Sequence, residues 1–268
     1  MAGIPNRFGM PARRGKEGYR MREGIQISSL KPYLQTEQDA SATIARVARM
    51  GYRYVQLQWF SFDVPVESIA RALKENGMVS VGTQEKYDEC AKRFDYFVSL
   101  NRACGSNEIC MSGIPARFAD AEGIKQHIAD MREYGKRAAG EGMTVSYHLV
   151  EADFRRIDGK PACDILLDSL PEIRIVADTN QLLRAKADPA KWIAAHAGRV
   201  VTVHFKDMEA PVAGAKLKPV GQGMTDFPPI VRACREAGVQ YVLAEQESWE
   251  KDAFLCMEES LAYIRGIL

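Results

Sequence analysis

The sequence has no apolar run near the ~20 residues needed to span a bilayer, and its formal net charge is only +1. We therefore expect neither a membrane protein nor a nucleic-acid-binding protein, because nucleic acids and anionic membranes attract clustered positive charge. The N-terminus also lacks the basic-then-apolar order of a secretory signal. With 46% hydrophobic and 26% charged residues, the composition is that of a soluble globular protein, and we expect a cytoplasmic one.

The six cysteines include no CxxC pair. Most of them fall within predicted helices or strands, where a reduced thiol serves as a small hydrophobic residue, and this use fits the cytoplasm. The sequence also lacks GxSxG and P-loop motifs. Gly221 and Gly223 follow an irregular segment and not a strand, so we expect a tight turn near the site and not a dinucleotide fingerprint.

Residues 1–23 differ from the remainder of the chain. They contain six Lys or Arg against two Glu, with no hydrophobic periodicity. We interpret them as a flexible basic N-terminal extension, and Met21 as a natural alternative start. A binding arm is the other interpretation.

From residue 24 to residue 268, strand patterns alternate with helix patterns. The predicted strands are 25–28, 54–58, 78–81, 108–111, 143–148, 173–178, 200–204 and 241–245. Strict alternation predicts parallel strands with right-handed crossovers. Eight such units favour one closed (β/α)8 TIM barrel, with an open doubly wound sheet as the alternative.

Four polar residues close the last four predicted strands: His148, Asp178, His204 and Glu245. Each alone has a structural explanation, such as a loop cap or a hydrogen-bonded core histidine. In a barrel, however, the carboxyl ends of the strands meet at one face, where the chemistry of such folds lies. Two imidazoles and two carboxylates together there predict a site for a divalent metal ion.

Residues near these strand ends extend the predicted site. Lys206 lies two residues after His204, and Glu247 lies two residues after Glu245. Side chains two residues apart on a strand point to the same face, so both can face the carboxyl-end mouth of the barrel. Lys206 could bind an anionic group or stabilise negative charge on an oxygen, or it could be a solvated loop lysine. Trp59 follows the second strand and could line a sugar-sized pocket, or its side chain could pack beneath the loop that follows this strand.

These residues resemble those of the xylose isomerase-like superfamily of sugar phosphate isomerases and epimerases, over nearly all of residues 24–268. The resemblance is carried by Gly24-Ile25-Gln26-Ile27-Ser28, Tyr147-His148, Ala177-Asp178-Thr179-Asn180, His204-Phe205-Lys206-Asp207, Gly221-Gln222-Gly223 and Glu245-Gln246-Glu247. It implies a TIM barrel with a divalent ion, one of Mn, Mg, Co or Zn, held by Glu, Asp, His and Glu. The last three ligands map onto Asp178, His204 and Glu245.

The first glutamate of that ligand set maps onto the neighbourhood of His148. Replacing a carboxylate with an imidazole leaves the ligand shell near neutral and makes the ion a stronger Lewis acid. It also removes one candidate acid/base group. Glu151, Asp153 or Glu247 could replace it, or His148 could serve as the base instead of a ligand.

The resemblance implies an isomerase or epimerase of carbohydrate metabolism that acts on a small carbohydrate. It would abstract a proton next to a carbonyl through a metal-stabilised enediolate, with Glu245 as ligand and base, and Lys206 as the oxyanion or substrate contact. A dehydratase or lyase acting on a keto-sugar or inosose is the alternative, and a non-catalytic sugar-binding subunit is the second. A homo-oligomer is compatible with the sequence.

The superfamily also includes apurinic-site endonucleases with a histidine-rich three-zinc cluster. This chain has only four histidines and a near-neutral charge. Two of them, His127 and His196, fall in predicted helices, so DNA repair is not expected.

Overall fold

The computed structural model describes residues 20–268, and the predicted extension lies largely outside this range. Eight parallel strands form a closed barrel in sequence order, with the eighth strand paired to the first. The strands are β1 Arg22–Gln26, β2 Tyr54–Leu57, β3 Val79–Lys86, β4 Glu108–Ser112, β5 Thr144–His148, β6 Arg174–Asp178, β7 Val200–Phe205 and β8 Tyr241–Ala244. The predicted TIM barrel is confirmed, and the open sheet is excluded because the barrel closes.

Helices surround the barrel. They are α1 Glu37–Arg49, α2 Val66–Glu75, α3 Tyr87–Lys92, α4 Phe94–Ala103, α5 Ala121–Gly140, α6 Ala162–Ser169, α7 Thr179–Arg184, α8 Pro189–Ala195, α9 Phe227–Ala237 and α10 Ala253–Ile267. Side-chain caps fix several starts: Thr36, Asp120 and Asp188 each accept a backbone N–H from the first turn.

The barrel strands are covered on both faces, as their near-continuous hydrophobic runs require. All six residues of β7 are buried, and Ile25, Ile175 and Val242 are fully inaccessible. The register between strands also positions the polar strand ends. It places Ser112 beside His148 and Asp178 beside His204.

Some boundaries differ from prediction. β1 begins at Arg22, two residues before the expected start of the barrel domain. The helical segment after β3 is divided into α3 and α4 at Arg93, whose φ of −123° is not helical. The helix α7 was not predicted. It forms because Asp178 caps it, accepting the N–H groups of Asn180 and Gln181.

The segment 209–225 covers part of the mouth of the barrel and is anchored on the buried Asp207. Asp207 Oδ1 accepts the N–H groups of Met208 (2.9 Å) and Thr225 (3.1 Å), and Oδ2 accepts those of Gly221 (3.0 Å) and Gly223 (2.8 Å). A Cβ at position 223 would lie 2.3 Å from Asp207 Oδ1. The glycine pair thus forms a tight turn around this carboxylate.

All six cysteines are free, and only Cys104 among them is not fully buried. Burial raises the pKa of Cys90 and Cys110, which keeps these thiols protonated. Their predicted use as small hydrophobic residues agrees with this packing. Within residues 20–268, no helix has the length and hydropathy needed to cross a membrane.

Candidate functional site

The four polar strand-end residues converge at one end of the barrel. His148 and Asp178 end β5 and β6, His204 lies one residue before the end of β7, and Glu245 directly follows β8. His148 Nε2 lies 3.8 Å from Asp178 Oδ2, and His204 Nδ1 lies 3.0 Å from Glu245 Oε2. The two imidazole ring centres are 5.0 Å apart. All four side chains are buried.

Each of the four residues has one buried polar atom without a hydrogen-bond partner in residues 20–268. These atoms are His148 Nε2, Asp178 Oδ2, His204 Nδ1 and Glu245 Oε2. A buried polar atom without a hydrogen bond costs about 1–3 kcal/mol, and one cation bound among these four atoms would offset that cost.

The other polar atom of each residue is held by the protein. These contacts join His148 Nδ1 to Ser112 Oγ (2.9 Å), Asp178 Oδ1 to the N–H groups of Asn180 (2.7 Å) and Gln181 (3.0 Å), His204 Nε2 to Gln56 Oε1 (2.7 Å), and Glu245 Oε1 to Ser28 Oγ (3.2 Å). The orientation of each side chain is therefore set, and its remaining polar atom is available to a ligand.

The spacing suits a divalent ion. Ligand atoms of His148, Asp178 and His204 all lie within 4.8 Å of one another. Ligands on opposite sides of an ion with bonds of about 2.1 Å are about 4 Å apart. These three residues could hold a divalent ion after a small adjustment. Glu245 is not part of this three-residue group, but its Oε2 lies 3.0 Å from His204 Nδ1.

Lys206 lies directly above this group. Its Nζ is 3.9 Å from both Asp178 Oδ2 and Glu245 Oε2, and it pairs closely with Glu247. Burial favours the neutral amine, but Glu245, Asp178 and Glu247 together raise the pKa of Lys206. Lys206 is therefore a buried cation, and the structure places Glu247 at the mouth as the parity of β8 predicts.

The titratable groups in the cluster differ in protonation. Burial lowers the pKa of His148 to about 3, helped by His204, so its imidazole is neutral. Burial opposes ionisation of Glu245, but Lys206 and His204 hold the pKa of its carboxyl well below the usual range. Burial and repulsion from Glu245 raise the pKa of Glu247 to about 7, with Lys206 opposing.

Two substitutes considered for the altered ligand position are occupied elsewhere. Asp153 is fully buried and accepts hydrogen bonds from the N–H of Ile114 (2.8 Å), the N–H of Val150 (3.0 Å) and the hydroxyl of Tyr147. Glu151 pairs with Arg184. The structure therefore leaves His148 in the cluster and keeps both acidic residues out of it.

Trp59 is held at the rim of the barrel and has a left-handed backbone (φ 62°). Its indole N–H donates to Glu85 Oε1 (3.2 Å), Lys31 Nζ lies 4.6 Å from its ring centre, and Gln35 donates to its carbonyl. None of its polar contacts within residues 20–268 reaches the four strand-end residues. A non-glycine residue in this conformation is strained and is often found at functional sites.

Two cavities are lined by neighbours of the cluster and not by its four residues. One of about 330 Å³ is bounded by Lys206, Glu247, α7 and the segment from Val212 to Leu217. The other, of about 370 Å³, reaches Ser112, which contacts His148. Their volumes are those of small-molecule pockets.

Sequence reasoning missed the supporting residues Ser28, Gln56 and Ser112. Their signal was present, because all three are polar residues at or near the carboxyl ends of barrel strands. The partners of Ser28 and Gln56 depend on contacts between strands distant in sequence. Ser112 and His148, in contrast, lie on the consecutive strands β4 and β5.

The fold and the converging side chains define a TIM barrel with a candidate metal centre at the carboxyl ends of its strands. The family model described as "Xylose isomerase-like TIM barrel" matches residues 44–266. The chain belongs to this family, as the resemblance predicted. No curated protein matches it.

Solved structures share the fold at low sequence identity. A sugar phosphate isomerase/epimerase from Parabacteroides distasonis has 18% identity and a TM-score of 0.76, with 94% of this chain and 98% of that chain covered. A D-allulose 3-epimerase from Methylomonas sp., in complex with D-allulose, has 17% identity and a TM-score of 0.72 over 93% and 98%. A probable 3-DHS dehydratase from Bacillus anthracis has 13% identity and a TM-score of 0.68 over 91% and 99%.

Proposed function

We propose that this protein is a divalent-metal-dependent isomerase or epimerase of a small carbohydrate. The observation that carries the proposal is a set of four buried polar atoms without a hydrogen bond in residues 20–268. They belong to His148, Asp178, His204 and Glu245, at the ends of four consecutive strands. Similar structures named as sugar isomerases or epimerases support the same reaction class.

In this proposal the four residues hold Mn, Mg, Co or Zn, whose Lewis acidity polarises the substrate carbonyl and balances charge on its oxygen. Ser28 and Ser112 orient Glu245 and His148 from behind. The cavity beside Lys206 and Glu247 receives the remainder of the sugar. Trp59 is proposed as a substrate contact at the rim.

Proton transfer in this proposal depends on Glu245 and its neighbours. The ionised Glu245 carboxylate takes the proton from the carbon next to the carbonyl, and the buried Lys206 ammonium stabilises the negative charge that develops on oxygen. Glu247 adjoins Lys206, and in this proposal it exchanges a proton with the other side of the substrate. Return of the proton to the opposite face gives epimerisation, and transfer to the neighbouring carbon gives isomerisation.

A lyase is the second candidate, favoured by one observation. The family's first glutamate maps onto the neighbourhood of His148, where this chain has an imidazole, so the centre would have one fewer carboxylate for returning a proton. Loss of a β-oxygen from the same intermediate would then compete with reprotonation. A structure named as a probable 3-DHS dehydratase shares this fold. The cytoplasmic location and a homo-oligomeric state stay predictions.

The test combines metal analysis with proton exchange. We expect the purified protein to retain a divalent ion and to incorporate solvent deuterium into a member of a panel of ketoses, 3-keto sugars and inososes. Glu245→Gln should reduce exchange by roughly 10²–10⁴-fold, whereas Glu236→Gln, an exposed change on α9, should have no effect. A protein that retains no ion and exchanges no deuterium would instead be a non-catalytic binding subunit.

A further inference from the structure

Behind the proposed centre, Gln56 on β2 joins two buried side chains. Its Oε1 lies 2.7 Å from His204 Nε2 and accepts a hydrogen bond from Gln26 Nε2 at 3.0 Å. Gln26, Gln56 and His204 are at most 1% exposed. They form a continuous polar connection from β1 through β2 to β7, across the inside of the barrel.

The chemistry of an amide oxygen determines which nitrogen of His204 carries hydrogen. A carbonyl oxygen only accepts, so the group facing it must be an N–H, and Nε2 of His204 is protonated. A ring whose single hydrogen is on Nε2 has a bare lone pair at Nδ1. This is the atom that lies 3.0 Å from Glu245 Oε2 and has no hydrogen-bond partner in the described chain.

We propose that Gln56 is a positioning residue that holds His204 in its Nε2–H tautomer, so that Nδ1 is the atom presented to the metal. This inference rests on the metal centre of the proposed function. Gln26 supports this arrangement by donating a hydrogen bond to the same oxygen.

The other histidine of the cluster has no such control. His148 Nδ1 faces the hydroxyl of Ser112, which can donate or accept, so either tautomer is compatible with that contact. The two imidazoles thus differ. The amide oxygen of Gln56 can only accept a hydrogen bond and so selects one tautomer of His204, whereas the hydroxyl of Ser112 is compatible with both tautomers of His148. Loss of Gln56 should consequently affect one histidine and not the other.

Contacts of this kind behind a ligand histidine are typically worth 10–100-fold in metal affinity. We expect Gln56→Met, which keeps the length but removes the acceptor, to weaken Zn²⁺ binding in a chelator competition by that factor. Gln56→Glu keeps an acceptor for both donors and should bind Zn²⁺ at least as tightly as wild type. Gln58→Met is the matched control, because Gln58 is a buried glutamine on the same face, two residues further on, and lacks the contact with His204.

The tautomer itself is read by NMR of the Zn²⁺-loaded protein labelled with ¹⁵N-histidine. The chain has only four histidines, so each ring can be assigned by single replacement. We expect the His204 ring to carry its proton on Nε2 and to show the zinc-induced shift at Nδ1. This measurement needs no variant at position 56 and therefore does not depend on whether Gln56→Met folds.

Three results would overturn the inference. A His204 ring with hydrogen on Nδ1 and zinc at Nε2 would show that the amide faces the other way. Equal Zn²⁺ affinities for wild type, Gln56→Met and Gln58→Met would show that Gln56 only fills space. In both of these cases the wild type binds Zn²⁺, so the metal centre stands and only the role of Gln56 is rejected. The third result is a wild type that binds no divalent ion, which would contradict both the metal centre and the role of Gln56.

Discussion

Replacing Asp207 with asparagine tests how the segment 209–225 is fixed over the mouth of the barrel. The carboxylate accepts four backbone N–H groups, two on each oxygen. In asparagine one oxygen becomes an NH₂ group, so two of these N–H groups face a donor. A hydrogen bond to a charged acceptor contributes about 1.5–3 kcal/mol. Because the two lost bonds act as a unit, we expect destabilisation of the segment by about 3 kcal/mol.

This loss should appear as local opening. About 3 kcal/mol corresponds to roughly a hundredfold faster hydrogen exchange, which we expect at the amides of Gly221, Gly223 and Thr225 and not in the barrel strands. Asp226→Asn removes the same charge from the same region, but Asp226 is exposed and its side chain makes no capping hydrogen bond. If both variants exchange alike at these amides, the anchoring role assigned to Asp207 is wrong.

Two further predictions concern stability. Burial lowers the pKa of His127 to about 4, so between about pH 6.5 and 4 the unfolded chain binds this proton and the folded protein does not. The free energy of unfolding should therefore fall by up to about 3 kcal/mol as the pH is lowered through this range. His127→Phe should remove this pH dependence, as measured by urea denaturation at a series of pH values. Gly223→Ala would place a Cβ 2.4 Å from the carbonyl oxygen of Met208 and should lower the melting temperature, whereas Gly135→Ala, with open space in α5, should raise it slightly. An unchanged melting temperature for Gly223→Ala would contradict the steric argument.

The parts of the fold that follow from local chemistry were predictable. Strand ends at His148 and Asp178 were readable because apolar runs stop there, and the periodicity of two placed Lys206 and Glu247 on the ligand side of their strands. Repeated alternation of strand and helix then favoured a closed barrel over an open doubly wound sheet.

The remaining features depend on contacts distant in sequence or on single backbone angles. Whether Glu151 and Asp153 enter the site is decided by Arg184 and by the hydroxyl of Tyr147, which no local pattern reveals. The left-handed backbone of Trp59 is equally invisible in sequence, because non-glycine residues seldom adopt it. Both therefore required the three-dimensional arrangement.

The alternation of side chains on β7 and β8 gives the site two levels with different tolerance to change. His204 and Glu245 form a lower level that is almost completely enclosed, whereas Lys206 and Glu247 form an upper level that borders the cavity. Under the proposed function, a substitution in the upper level would alter what the cavity accepts and where a proton returns, while the lower level would keep its metal ligands. Substrate choice and metal binding should therefore be separable by mutation.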